Sequence, residues 1–138
     1  MSWPALLVTF GSLFALACGA GTSSSSNGPS QALHQPAALA PGETAQFGAL
    51  RVTFTGVSGD SRCPVDVTCV WEGDAVAQIR LSEPTGAVET RELHTNTPRS
   101  TTYGQYKVEL VRLDPAPRDN QQIPAASYRL TVRVTQGS

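Results

Sequence analysis

Apolar and polar residues alternate along several stretches of this chain, and each stretch has strand length. Leu50, Val52 and Phe54 alternate with Arg51, Thr53 and Thr55. A period of two puts one set on the buried face of a strand and the other toward solvent. Phe47 and Val57 flank this run, and Gly56 and Gly59-Asp60 are expected to end it. In residues 75–81, Ala75, Ala77, Ile79 and Leu81 point one way, and Val76, Gln78 and Arg80 the other. A turn follows at Glu83-Pro84-Thr85-Gly86. Residues 88–94 then read as a charged, edge-like strand, whose outward charges oppose edge-to-edge association.

Residues 103–113 carry a change of phase. Tyr106, Val108 and Leu110 share one face, whereas Val111 and Leu113 have the opposite parity. A bulge near Leu110-Val111 would restore the later residues to the core. Asp114-Pro115-Ala116-Pro117 stops the strand. The last run is the cleanest, with Tyr128, Leu130, Val132 and Val134 alternating with Arg129, Thr131, Arg133 and Thr135. Five strand candidates and no amphipathic helix predict an all-β domain over residues 42–136. A small antiparallel β-sandwich is expected, with a small open β-barrel as the alternative. So small a body buries only about 60% of its unfolded surface, so a covalent staple would add usefully to its core.

The N-terminal segment has another character. Residues 3–17 are predominantly apolar and carry no charge. A spanning helix needs about 20 apolar residues, and this run is shorter, so residues 1–17 read as a signal peptide. Ala15-Leu16-Ala17-Cys18 resembles the end of a bacterial lipoprotein signal, in which a cysteine becomes the lipidated N-terminus. The resemblance implies membrane lipid as a partner through Cys18, and a place in the bacterial cell envelope. Gly19, where an Asp would retain the protein at the inner membrane, implies the outer membrane of a cell with two membranes. A secreted or periplasmic form is the alternative. Residues 18–41 are expected to form a flexible tether. Its Gly-Ser-rich first half buries too little to offset its ordering cost, and Pro36 interrupts the more apolar second half. Pro41-Gly42 marks the domain entrance.

The chain has 138 residues, with 10 Lys and Arg against 11 Asp and Glu. That balance gives no basic face for nucleic acid and no polybasic segment for lipid headgroups. The 3 cysteines become intelligible once Cys18 is assigned to lipid. Cys63 and Cys69 then remain as a pair, and exported proteins reach compartments where disulfides persist. Closing so short a loop contributes roughly 2–2.5 kcal/mol by chain entropy.

The segment around that pair is distinctive: Asp60-Ser61-Arg62-Cys63-Pro64, a short spacer, Cys69-Val70-Trp71, then Gly73 and an alternating strand. It resembles a pattern found in small bacterial exported proteins. The resemblance implies a shared fold and no particular chemistry. Trp71 is expected to cover a core edge, with ligand contact as the alternative. Gly73 suggests a special backbone conformation or a close approach.

The chemistry this segment offers is limited. Five residues separate the cysteines, and no helix start follows to stabilise a thiolate, unlike thioredoxin-type sites. Asp60, Asp66, Glu72 and Asp74 form an oxygen-rich cluster, a weak alternative for calcium without EF-hand spacing. His34 and His94 read as surface residues. Ser61 stands near acidic groups without a nucleophile-elbow motif. No cofactor and no catalytic residue is indicated. The expectation is a tethered, non-enzymatic binding or accessory module with an envelope protein or glycan as partner. Its candidate binding loop comprises Arg62, Asp66, Trp71 and Glu72. A structural envelope protein and a cryptic hydrolase using His94 are the alternatives.

Overall fold

The computed structural model describes residues 29–137. The expected signal peptide, Cys18 and the first part of the tether lie outside the described residues. Among the described residues nine strands form two sheets: β1 (Ser30–Gln31), β2 (Pro36–Leu39), β3 (Thr44–Phe47), β4 (Leu50–Asp60), β5 (Ala75–Ser82), β6 (Glu89–His94), β7 (Ser100–Tyr103), β8 (Tyr106–Asp114) and β9 (Arg129–Gln136). One sheet has the order β1-β3-β4-β5-β6, the other β2-β9-β8-β7. Both sheets keep open edges, so the body is a sandwich and not a closed barrel. All pairings are antiparallel except that of β1 with β3, which is parallel.

The core lies between the sheets and follows the alternation of the sequence. Leu50, Val52 and Phe54 of β4, and Ala75, Ala77, Ile79 and Leu81 of β5, are all buried. They meet Val108 and Leu110 of β8 and Leu130, Val132 and Val134 of β9 in one cluster. Each large aliphatic or aromatic side chain so buried contributes about 1.5–3 kcal/mol. The expected bulge is present in β8. Leu110 pairs with Val132 and Arg112 with Thr131, which leaves Val111 unopposed and returns Leu113 to the core.

The structure corrects two expectations and sharpens a third. The folded body begins before residue 42, because β2 pairs with β9 along Pro36–Leu39 and buries Ala37 and Leu39. Pro36 starts a strand at the sheet edge, where its missing N–H leaves no ladder bond unmade. The first strand passes Gly56 and ends at Asp60, the later of the two expected stops. β4 runs on to Asp60 through two bulges, opposite Gln78 and near Val76. Finally, Phe47 belongs to a separate strand. β3 and β4 join through Gly48-Ala49, and Gly48 takes the positive φ of 62° that such a tight turn favours.

Two long connections meet at one end of the sandwich. Residues 61–74 link β4 to β5, and residues 115–128 link β8 to β9 through a single 3₁₀ turn, Ala125–Ser127. Hairpin loops usually run about 2–5 residues. The excess in both places builds the surface described next.

Candidate functional site

The connection between β4 and β5 continues the hairpin beyond Asp60 and Ala75. Ser61 N–H donates to Asp74 O at 2.7 Å, and Cys63 N–H donates to Glu72 O at 2.9 Å. The Ser61 hydroxyl donates to Asp74 O and accepts from Asp74 N–H. This ladder needs Gly73. Its φ is +72°, and a Cβ there would stand 1.9 Å from Ser61 O.

Arg62 locks the ladder to the rest of the body. Its Nε and Nη2 donate to the two oxygens of Asp60, at 2.8 and 2.6 Å. Nη1 donates to Leu113 O and Nη2 also to Pro115 O, across to the end of β8. Asp60 in turn accepts from the Tyr128 hydroxyl at 2.9 Å. The side chains of Arg62 and Asp60 are only 14% and 13% exposed. Burial raises the Asp60 pKa, but the bonds from Arg62 and Tyr128 outweigh it and hold the carboxyl below its ordinary value. The Asp60 bond raises Arg62 against the opposing effect of burial. Burial and the same carboxylate raise the Tyr128 phenol. Arg62 therefore clamps the ladder to the end of β8 and to Pro115.

Beyond the clamp, Cys63 and Cys69 form the expected disulfide. Two more bonds dock the closed loop on the connection between β8 and β9: Val65 N–H to Pro117 O, and Asp119 N–H to Asp66 Oδ1. Asp66 is thus a brace within the protein. Trp71 does not cover the core. It is 83% exposed, beside Val70 at 91%. Of the five large hydrophobics exposed among the described residues, Val65, Val67, Val70 and Trp71 lie in this one loop, and Val88 lies elsewhere.

The four acidic residues considered for calcium do not converge. Asp60 belongs to Arg62 and Tyr128, Asp66 to Asp119 N–H, and Asp74 to a third set of partners. Among the described residues, no group of three or more His, Cys, Asp or Glu is placed to hold a metal ion.

Asp74 and His94 do meet. His94 Nδ1 lies 2.5 Å from Asp74 Oδ2, and Asp74 Oδ1 accepts from the Thr95 hydroxyl and from Asn96 N–H. Burial raises the Asp74 pKa, and the bonds from His94, Asn96 and Thr95 more than reverse it, to a net lowering. Ser61 does not complete a triad, since its hydroxyl is engaged with the Asp74 main chain. The pair pins the corner between β6 and β7 to the start of β5. His34 takes a positive φ of 71° in the turn before β2, where its N–H donates to Val134 O.

A cleft of about 320 Å³ opens beside the loop. The loop supplies Arg62, Val65 and Glu72 to its wall, the β6–β7 corner supplies Thr95, Asn96 and Arg99, and the bulged part of β8 supplies Leu110 and Val111. Arg99 caps the carbonyls that the bulge displaces, donating to Leu110 O and Val111 O at 3.2 and 3.0 Å, and to Thr95 O. Sequence reasoning missed Arg99 and the cleft, because three segments distant in the chain must assemble to make it.

The chain matches no family model, no curated protein and no solved structure. No helix among the described residues is long and apolar enough to cross a membrane.

Proposed function

We propose that this protein is a non-enzymatic recognition module of the bacterial cell envelope, tethered by lipid at Cys18, that binds an envelope protein through the exposed apolar residues of its cystine-stapled connection. One observation carries the binding half of the reading: four of the five exposed large hydrophobics among the described residues fall in the one connection, residues 61–74, that the disulfide staples and Arg62 clamps. Exposed apolar side chains gathered in one place mark interaction surfaces. Trp is prominent among the residues that dominate binding energy, each worth about 2 kcal/mol or more when lost. A loop already fixed in shape loses little entropy on binding. Of the residues named from sequence, Trp71 and Glu72 remain the accessible recognition groups, while Arg62 and Asp66 hold the loop. The tether half rests on the sequence of residues 1–18.

Two measurements test the reading. The intact mass of membrane-extracted protein should fit a chain beginning at Cys18 with acyl groups and an oxidised cysteine pair. A retained first segment with free thiols would overturn the tether. Cross-linking in the native envelope should yield one partner that Trp71→Ala removes and Arg80→Ala, on the outer face of β5, leaves in place. Partner capture that survives Trp71→Ala and is lost with Arg80→Ala would overturn the site. A glycan as the only captured species would replace the protein partner.

A further inference from the structure

The cleft beside the cystine loop carries an unusual balance of charge. Three guanidinium groups line it, but two of them are already neutralised: Arg62 by Asp60 at 2.6 Å and Arg112 by Asp114 at 2.6 Å. Arg99 has no carboxylate partner among the described residues; its bonds go to the carbonyls of Thr95, Leu110 and Val111. Those bonds take three of the five guanidinium N–H donors and leave two. They also fix the group in place before any ligand arrives. The carboxylate of Glu72, a residue on the loop side of the same cleft, accepts no hydrogen bond and joins no ion pair among the described residues. The cleft therefore offers one uncommitted cation and one uncommitted anion, with Val65, Val111 and Pro117 as apolar wall.

We propose that this cleft binds a small zwitterion, a free α-amino acid or a short peptide with an apolar side chain. The ligand carboxylate meets Arg99, its ammonium meets Glu72, and its side chain lies against Val65, Val111 and Pro117. A simple anion would leave Glu72 opposing it, and a simple cation would leave Arg99 opposing it. Only a ligand bearing both charges satisfies both groups. The volume is at the small end of the range of about 300–1,000 Å³ usual for ligand pockets, which suits one or two residues and excludes a large cofactor. The inference rests on the reading of the cystine-loop end as the recognition surface. It adds a small ligand held in the cleft beside that loop.

The test is calorimetric titration of the oxidised full-length protein with L-leucine, the dipeptide Leu-Ala, N-acetyl-leucine and leucinamide. Leucine or Leu-Ala should bind saturably, and blocking either charged end should weaken binding by at least about tenfold. Binding of leucine alone names a free amino acid as the ligand, and preference for Leu-Ala names a peptide. Glu72→Gln should abolish the discrimination between leucine and N-acetyl-leucine while keeping that against leucinamide. Arg99→Lys should weaken leucine and N-acetyl-leucine alike. Because Arg99 also holds three carbonyls, leucinamide on the unaltered protein carries this arm if that variant does not fold. Absence of saturable binding by both zwitterions, or equal binding of the blocked forms, overturns the proposal. That result together with Trp71-dependent partner capture would remove the zwitterion site alone. Loss of both would remove the loop as a recognition surface.

Discussion

Replacing Gly73 by Ala should do more damage than any ordinary loop substitution, and the amount can be worked out. Two costs apply. A non-Gly residue held in the left-handed region costs about 1–2 kcal/mol, and Gly73 sits at φ +72°. The added methyl would also stand 1.9 Å from Ser61 O, 2.7 Å from Ser61 C and 3.1 Å from Arg62 Cα. All three are backbone atoms, and none can rotate away. The ladder must open, and its bonds from Ser61 N–H to Asp74 O and from Cys63 N–H to Glu72 O go with it. At about 1 kcal/mol each in an exposed setting, these bring the total to roughly 3–4 kcal/mol. Gly42 provides the control. Its φ is +87°, but nothing lies within 4 Å of a Cβ built there. Gly42→Ala should therefore cost only the conformational part, about 1–2 kcal/mol. Urea unfolding of both oxidised variants gives the comparison, provided that the m-values agree. A Gly73→Ala loss within about 0.5 kcal/mol of the Gly42→Ala loss would refute the close approach at Ser61.

The Asp60 clamp should be visible as acid sensitivity. The Asp60 pKa is lowered in the fold from 3.8, so its contribution is complete above the unfolded value and is lost as pH falls through the folded one. Asp60→Asn should cost about 1–3 kcal/mol at neutral pH, and its gap from the unaltered protein should close below about pH 4; a gap that stays constant down to pH 2 would contradict this. Joint replacement of Cys63 and Cys69 by Ser should lower stability by about 2 kcal/mol in chemical unfolding, with the sheets retained by circular dichroism. Trp71→Ala, at a side chain 83% exposed, should change the unfolding free energy by less than about 0.5 kcal/mol, and a larger loss would mean that Trp71 packs on the body after all.

The sequence revealed those parts of the fold in which neighbours along the chain decide the outcome. β5 and β9 alternate without interruption, so their buried faces could be read directly. The break of parity at Val111 foretold the bulge, because only one extra residue returns Leu113 to the core. What stayed hidden depends on distant partners. β2 is four residues long and contains Pro36, and it is a strand only because β9 offers it an edge. Arg62 resembles a free loop cation until Leu113 and Pro115, some fifty residues further on, bring their carbonyls to it. Large aromatics generally turn toward the interior, and that habit predicts a buried Trp71, whereas the side chain is 83% exposed. It lies just after Cys69 in the long connection between β4 and β5, outside the sheets. The cysteine spacing located the loop correctly, whereas the direction of each side chain within it required the tertiary structure.

The central claim is that the exposed apolar residues of the cystine-stapled connection, and no sheet face, meet the partner. A photo-activatable aromatic residue in place of Trp71 tests it most directly, with the same residue in place of Arg80 as the comparison, both in cells producing the full-length protein. The account predicts a discrete cross-linked species from position 71 that disappears when Cys63 and Cys69 are replaced by Ser, and none from position 80. A discrete product from position 80 with none from position 71 would contradict it.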